Sequence, residues 1–268
     1  MQFLSITTIQ SDLHWEGKEA NLNMFEEKIL QIKEKTNIVV LPEMFTTGFS
    51  MRPDLLAENM DGQSVRWMKK IANKKGIVLV GSLIIQEEEN YFNRLIWMLP
   101  NGEFGYYDKR HCFSLAGEDE HYASGTKRLI ASVGGWKINL CICYDLRFPV
   151  WTRQVIHADP DKEPAPEYDV LIYVANWPEK RSHAWKSLLT ARAIENQSYV
   201  VGVNRVGNDG NGLAHSGNSM VVDPLGKILY EKENDEDINT SILDKSLLED
   251  VRTNFPFWKD ADHFLITD

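Results

Sequence analysis

Short runs in which nearly every position is apolar alternate along the chain with longer stretches in which apolar residues recur every three or four positions. NIVVLPE (37–43), GIVLVGSLII (76–85), WKINLCICYD (136–145), DVLIYVANW (169–177) and SYVVGVNRV (198–206) are of the first kind. Such runs predict strands buried on both faces. FLSITTIQ (3–10) also reads as a strand, and YFNRLIWML (91–99) as the neighbour of 76–85 across an acidic turn. Residues 17–35 carry Leu22, Phe25, Ile29 and Ile32, and residues 61–75 carry Val65, Met68, Ile71 and Ala72. These spacings predict amphipathic helices, the second stopped by Gly76. Further helices are predicted over 147–157 and over 182–197, the latter with Ser182 as N-cap and Trp185, Leu188 and Leu189 inward. NSMVVDPLGKILYEK (218–232) predicts a hairpin around Pro224-Leu225-Gly226. DPDKEPAPEYD (159–169) reads as a loop between core elements.

With no solenoid-length repeat and no low-complexity linker, the pattern predicts a single α/β domain over 1–268. Residues 233–268, acidic and then aromatic (Phe255, Phe257, Trp258), form a C-terminal extension that docks on this chain or on a neighbouring subunit.

Composition narrows the function. The chain has 29 Lys plus Arg against 39 Asp plus Glu, a formal net charge of −10. That balance argues against a general nucleic-acid binder and gives no support for an anionic membrane surface. No apolar run reaches the roughly 18 residues of a membrane span. The opening MQFLSITTIQSDLHWEG has neither a basic n-region nor a long apolar stretch, so no signal peptide is expected. Three cysteines, an odd and sparse number, argue against a secreted disulfide framework. The expectation is a soluble cytoplasmic protein.

Candidate chemistry gathers where apolar runs end. VVLPE ends at Glu43, LCICYD at Cys143 to Asp145, LIYVANW at Asn176 and Trp177, and VVGVNR at Asn204 and Arg205. In open α/β sheets, ligands bind beyond the carboxyl ends of strands, so these endings predict one convergent site. Cys141 lies within its apolar run and reads as core. Cys143 is followed at once by Tyr144, Asp145 and Arg147, marking a strand-to-helix turn. There a thiol reaches a site and feels the positive end of the next helix, which would lower its pKa.

The residues alone leave Cys143 open between nucleophile and core filler, and leave a metal role with Cys141 and Cys112 as a weaker alternative. A thiol nucleophile needs a base and an electrostatic stabiliser. No histidine sits in a Cys-His signature; His183 reads as a surface residue, and His111 and His121 are ambiguous. Glu43, at the end of a run that should bury it, is the better base. Lys109, in YYDKRHCF, is either a buried stabilising ammonium or a solvated lysine paired with Asp108.

Together these segments resemble the nitrilase superfamily of carbon–nitrogen hydrolases, over about 1–255. The resemblance rests on LPEMFTTGFS around Glu43, YYDKRHCFSLAGEDEHYASG around Lys109 and LCICYDLRFPVW around Cys143, in that order. It implies a four-layer αββα sandwich and a Glu-Lys-Cys triad, with Glu43 as general base, Lys109 as oxyanion stabiliser and Cys143 as nucleophile. A second glutamate of the family falls best on Glu118, with Glu120 two residues on, and the Tyr144 backbone N–H falls on the second oxyanion donor. No metal or organic cofactor is implied, and the quaternary state implied is a homodimer.

KRHCFSLAGEDEHYASG, CICYDLRFPVW and VANWPEKR are most similar to the omega-amidase branch, which hydrolyses terminal amides of small 2-oxo acids such as 2-oxoglutaramate. The same triad serves nitrilases and N-carbamoyl or other aliphatic amidases, the runner-up reading; a non-catalytic binding protein on the same fold is a further alternative. An acidic amide substrate needs local positive charge. Arg147 and Arg205 are the candidates, with Arg147 equally readable as the partner of a buried carboxylate. Phe45, Tyr122 and Trp177 are the expected pocket walls.

Overall fold

The computed structural model describes residues 1–154, 165–262 and 264–266. In chain order the elements are β1 (Phe3–Gln10), α1 (Lys18–Gln31), β2 (Ile38–Val40), α2 (Pro53–Leu56), α3 (Gln63–Lys75), β3 (Val78–Glu87), β4 (Asn90–Met98) and β5 (Phe104–Asp108). There follow α4 (Glu118–His121), β6 (Ile130–Val133), β7 (Trp136–Ile142), α5 (Pro149–Thr152), β8 (Val170–Val174), α6 (Ser182–Asn196), β9 (Tyr199–Val203), β10 (Val206–Asn208), β11 (Ala214–Val222), β12 (Ile228–Glu233), β13 (Asp237–Asp244) and α7 (Lys245–Asn254).

The strands form two sheets. One has the order β13-β1-β2-β3-β4-β5, the other β10-β11-β9-β8-β7-β6 with β12 on β11. Each has three adjacent parallel strands, β1-β2-β3 and β7-β8-β9, flanked by antiparallel ones.

The near-continuous apolar runs have a simple cause. In β2 and β3, Ile38, Val40, Val78 and Val80 pack in the core between the sheets, while Val39, Leu79 and Leu83, with Leu41 just past β2, pack against the helices. Side chains alternate between faces, so a strand with a sheet on one side and a helix on the other has no polar face. Phe25 and Ile29 of α1 and Met68, Ile71 and Ala72 of α3 cover the first sheet. Trp185, Leu189 and Ala193 of α6 cover the second. The result is helix, sheet, sheet, helix, the expected four-layer sandwich.

Gly76 ends α3 in the left-handed region at φ 66°, where glycine has no Cβ penalty. The hairpin closes as predicted, with Asp223 Oδ1 accepting from the backbone N–H groups of Leu225 and Lys227. Arg181, not Ser182, occupies the N-cap of α6, because a 3-10 turn over Glu179–Arg181 leads straight into the helix. The helix expected over 147–157 is the single turn α5; residues 155–157, with 159–164 of the expected loop, lie outside the described residues. Neither β13 nor α7 is among the predicted elements, although α7 carries Asp244 as N-cap and buries Leu248 and Val251 at helical spacing. β13 pairs with β1 from Phe3↔Asp244 to Gln10↔Asp237, and its residues are mostly half-buried, so it lacks the apolar run that marks the inner strands.

Candidate active site

The carboxyl ends of the parallel strands converge. Glu43 lies just past β2, Cys143 directly past β7 and Asn176 just past β8; Lys109 directly follows β5 and Glu118 opens α4. Glu43, Lys109 and Glu118 are all buried. Lys109 Nζ donates to Glu43 Oε1 at 2.9 Å and to Glu118 Oε2 and Oε1 at 2.8 and 3.0 Å. Asn93 Nδ2 donates to the same two carboxylates, at 2.8 Å to Glu43 and 3.3 Å to Glu118. Asn176 joins the sheets by donating its backbone N–H to Glu43 Oε2 at 2.8 Å and its Nδ2 to the Glu43 carbonyl oxygen at 2.5 Å. The Cys143 thiol is buried beside this cluster, close enough to feel the charges of Glu43 and Lys109. Glu120 is exposed and outside this cluster.

Both key turns hold a non-glycine residue at positive φ: Met44 at 43° and Cys143 at 42°. Such conformations cost energy and persist only where the surroundings impose them. At Cys143 the constraint is Asp145, whose Oδ2 accepts from the Ile142 N–H at 2.9 Å and from the Tyr107 hydroxyl at 2.7 Å. Asp145 Oδ1 is met by the backbone N–H of His111 at 3.1 Å and by His111 Nδ1 at 2.8 Å. One buried carboxylate therefore locks the Cys143 turn to the segment that carries Lys109.

Two carboxylates share one ammonium. Burial would lower the Lys109 pKa, but the charges of Glu118 and Glu43 outweigh it and hold the ammonium well above its usual value. Burial raises the Glu118 carboxyl, against Lys109 and with help from Glu43. Burial and then the Glu43 charge push the Cys143 thiol well up, with Lys109 opposing. This reverses the expectation of a lowered thiol pKa. The following helix is only a five-residue 3-10 turn, Cys143–Arg147, too short to contribute a large dipole.

Cys143, Lys109 and Asn176 line a cavity of about 340 Å³ whose walls include Phe49, Phe113, Tyr144 and Trp177. All three cysteines are free thiols, and Cys141 is buried on the α6 face of the second sheet, in register with Tyr173 and Gly202. No group of three or more His, Cys, Asp or Glu side chains fit to hold a metal ion occurs among the described residues.

The model of the carbon–nitrogen hydrolase family matches residues 5–253. The chain belongs to that family. It is 41% identical over 265 residues to the omega-amidase YafV of Escherichia coli K12, covering 98% of this chain and 99% of the relative. It is 33% identical to the 2-oxoglutaramate amidase of Bacillus subtilis 168, covering 96% of each. A solved carbon–nitrogen hydrolase superfamily protein from Xanthomonas campestris, with an arsenic adduct in its active site, superposes with a TM-score of 0.96 at 40% identity over the whole of both chains.

Within this carbon–nitrogen hydrolase, the residues expected to bind substrate divide. Arg147 and Trp177 line the cavity, with the guanidinium 5.0 Å from the Trp177 ring centre. Among the described residues Arg147 has no carboxylate partner; Asp145, two residues before it, is met by Ile142, Tyr107 and His111. Arg205, in contrast, is fully buried and donates to Asp12 Oδ1 at 2.7 Å and to the carbonyl oxygens of Val206 and Asn208, both at 3.0 Å. It anchors the β10 segment and does not line the cavity. Phe45 points to the helix side of the first sheet, between Phe25 and Trp67. Tyr122 packs with Met44 and Ile84 and donates to the Ser50 carbonyl oxygen at 2.6 Å. Sequence reasoning missed Asn93, which sits in mid-strand on β4 with no motif around it, and Arg181, which stood in view within VANWPEKR. Among the described residues, no helix is long and apolar enough to cross a membrane.

Proposed function

We propose that the chain is a cysteine-dependent amidase that hydrolyses the terminal amide of a small 2-oxo acid of the 2-oxoglutaramate type, releasing ammonia. The observation that carries this reading is the hydrogen-bonded cluster of Glu43, Lys109 and Glu118, whose Lys109 lines a small aromatic-walled cavity together with Cys143. Two full-length relatives named for this chemistry support it.

Because the thiol is held neutral, attack and deprotonation are one event. The Cys143 proton passes to Glu43 as sulfur bonds to the amide carbon and the carbonyl π pair moves onto oxygen. Lys109 Nζ and the Tyr144 N–H receive that oxyanion, which replaces one of the two Lys109 contacts with Glu118. The pair then reforms the carbonyl, the C–N bond breaks, and Glu43 returns its proton to the departing nitrogen. Ammonia leaves a thioester. Glu43 next takes a proton from water, hydroxide adds to the thioester carbon, and collapse expels the Cys143 sulfur, which recovers the proton. Glu118 keeps Lys109 charged and aimed. No step uses a metal or organic cofactor. Losing one oxyanion donor costs about 3–4 kcal/mol of transition-state stabilisation.

The reading includes one cytoplasmic hydrolase domain acting as a homodimer, with the 233–268 segment toward the second copy. Phe255 and Phe257 are exposed there. Sedimentation at twice the monomer mass is the expected result, and a monomer would remove this part.

The deciding assay is ammonia release from 2-oxoglutaramate, short nitriles and N-carbamoyl amino acids, with wild type and Cys143→Ala. Turnover of the 2-oxo acid amide alone, abolished in Cys143→Ala, is expected. Preferred turnover of nitriles, or full activity without the thiol, would overturn the reading.

A further inference from the structure

The cavity beside Cys143 holds two cations that the chemistry above leaves unused. Arg147 and Arg181 both line it. Each lays its guanidinium over a ring, Arg147 at 5.0 Å from the centre of Trp177 and Arg181 at 5.2 Å from the centre of Phe113. Trp177 ties the two together: its face carries Arg147, while its Nε1 donates to the Arg181 carbonyl oxygen at 2.8 Å. The indole is itself fixed. Its backbone N–H donates to Asn204 Oδ1 at 2.8 Å, and Asn204 Nδ2 donates to its carbonyl oxygen at 2.9 Å.

Among the described residues, neither guanidinium has a carboxylate partner or a hydrogen bond of its own. Elsewhere in the chain this is not the habit of arginine: Arg52, Arg94, Arg128, Arg192, Arg205 and Arg252 each hold a carboxylate. In a protein of net charge −10, acidic partners are plentiful. Two forks left open on one cavity wall are therefore suited to an anion from outside. A planar guanidinium takes a carboxylate through two parallel N–H donors, and stacking on a ring orients the fork without consuming those donors. Lys109 does not compete, being bound to Glu43 and Glu118. Asp209 also lines the cavity, but its Oδ1 accepts from the backbone N–H groups of Asn211 and Leu213, both at 2.9 Å.

We propose that Arg147 and Arg181 together form the seat of the substrate carboxylate, so that an amide bearing an acid at its far end is held with its carbonyl carbon at Cys143. This rests on the amidase reading and adds Arg181 as a residue that sets specificity. Glutaramate and pentanamide test it, since both are five-carbon amides and only the first carries an acid. Wild type is expected to favour glutaramate in kcat/KM. In Arg181→Gln that preference should fall roughly 10- to 100-fold, carried by KM, as expected for loss of a charged hydrogen bond. Arg181→Lys should fall part of the way, because charge remains while the fork is lost.

Pentanamide turnover that stays measurable in these variants shows an intact Cys143 site. A glutaramate preference in Arg181→Gln within about twofold of wild type, with pentanamide still hydrolysed, would overturn the seat and leave the amidase reading standing. Wild type that released ammonia from neither amide nor from 2-oxoglutaramate would overturn both.

Discussion

Lys109 is the residue on which the charge balance of the site turns. Its ammonium is enclosed by Glu43 and Glu118 at 2.9 and 2.8 Å, with the Phe49 ring centre 5.0 Å away. Removing one partner of a buried ionic cluster leaves the others uncompensated, so Lys109→Met should destabilise the fold by about 3–5 kcal/mol in addition to abolishing turnover. Urea unfolding at neutral pH measures this; an unchanged midpoint would show that the pair of carboxylates tolerates burial without its cation. The same cluster shapes the pH profile. Glu118 is raised above its usual value of 4.5, chiefly by burial, so the acid limb of kcat/KM should lie above that value. Glu118→Gln should displace the limb, and a limb at the same pH in the variant would assign it to another group. Lys109 is held well above 10.5, so its deprotonation should impose no alkaline limb up to pH 9.

Among the elements, the turn between β7 and α5 carries the proposed nucleophile at the point where a strand ends. Asp145 satisfies the first free N–H of that turn and bridges to Tyr107 at the end of β5, whose hydroxyl oxygen also accepts from Trp151 Nε1 at 3.0 Å. Asp145→Asn keeps the size but converts one acceptor oxygen into a donor facing other donors. A loss of about 1–3 kcal/mol follows for a buried group left unpaired, and kcat should fall more than KM rises because the Cys143 backbone is released. Equal kcat with a lower unfolding midpoint would mean that Asp145 serves stability alone.

This turn also marks the limit of what could be read from residues. Glu43, Cys143 and Asn176 stood out because each ends an apolar run that must be a buried strand. Lys109 and Glu118 came from motif likeness, since a lysine beside Asp108 has no local sign of burial; Asp108 in fact pairs with Arg94 at 2.6 Å. Arg205 looked the same as Arg147 by position, and only the tertiary pairing with Asp12 separates an anchor from an open cation. Phe45 and Tyr122 were misread as pocket walls because an aromatic beside a site motif does not reveal which face of the sheet it takes. β13 was illegible because an edge strand needs no apolar run.

At the scale of the whole molecule, the site is built where two sheets meet, so its side chains also carry part of the global stability. His215 on β11 lines the cavity yet is buried, and its pKa is lowered to about 4 by burial first and by the nearby Arg205 charge second, with Asp209 opposing. Its Nδ1 lies 3.0 Å from the Leu213 carbonyl oxygen, a contact that favours the protonated ring and so also opposes the shift. In the unfolded chain a histidine binds its proton near 6.5. Between that value and about 4 the unfolded state is protonated and the folded state is not, so falling pH draws the equilibrium toward unfolding. Above 6.5 both states are neutral, and below about 4 both are charged, so the loss is confined to that window. Its full size is about 3 kcal/mol, from the free-energy value of a pKa difference.

Other groups that titrate in the same range contribute alike to wild type and to His215→Gln, so the difference between the two proteins isolates the histidine. Urea unfolding of both at pH 7 and pH 4.5 should show wild type losing about 2–3 kcal/mol more than the variant as the pH falls. A constant difference at the two pH values would mean that the folded protein takes up the proton at His215 as readily as the unfolded chain. The cavity wall would then carry a third cation beside Arg147 and Arg181 in mild acid.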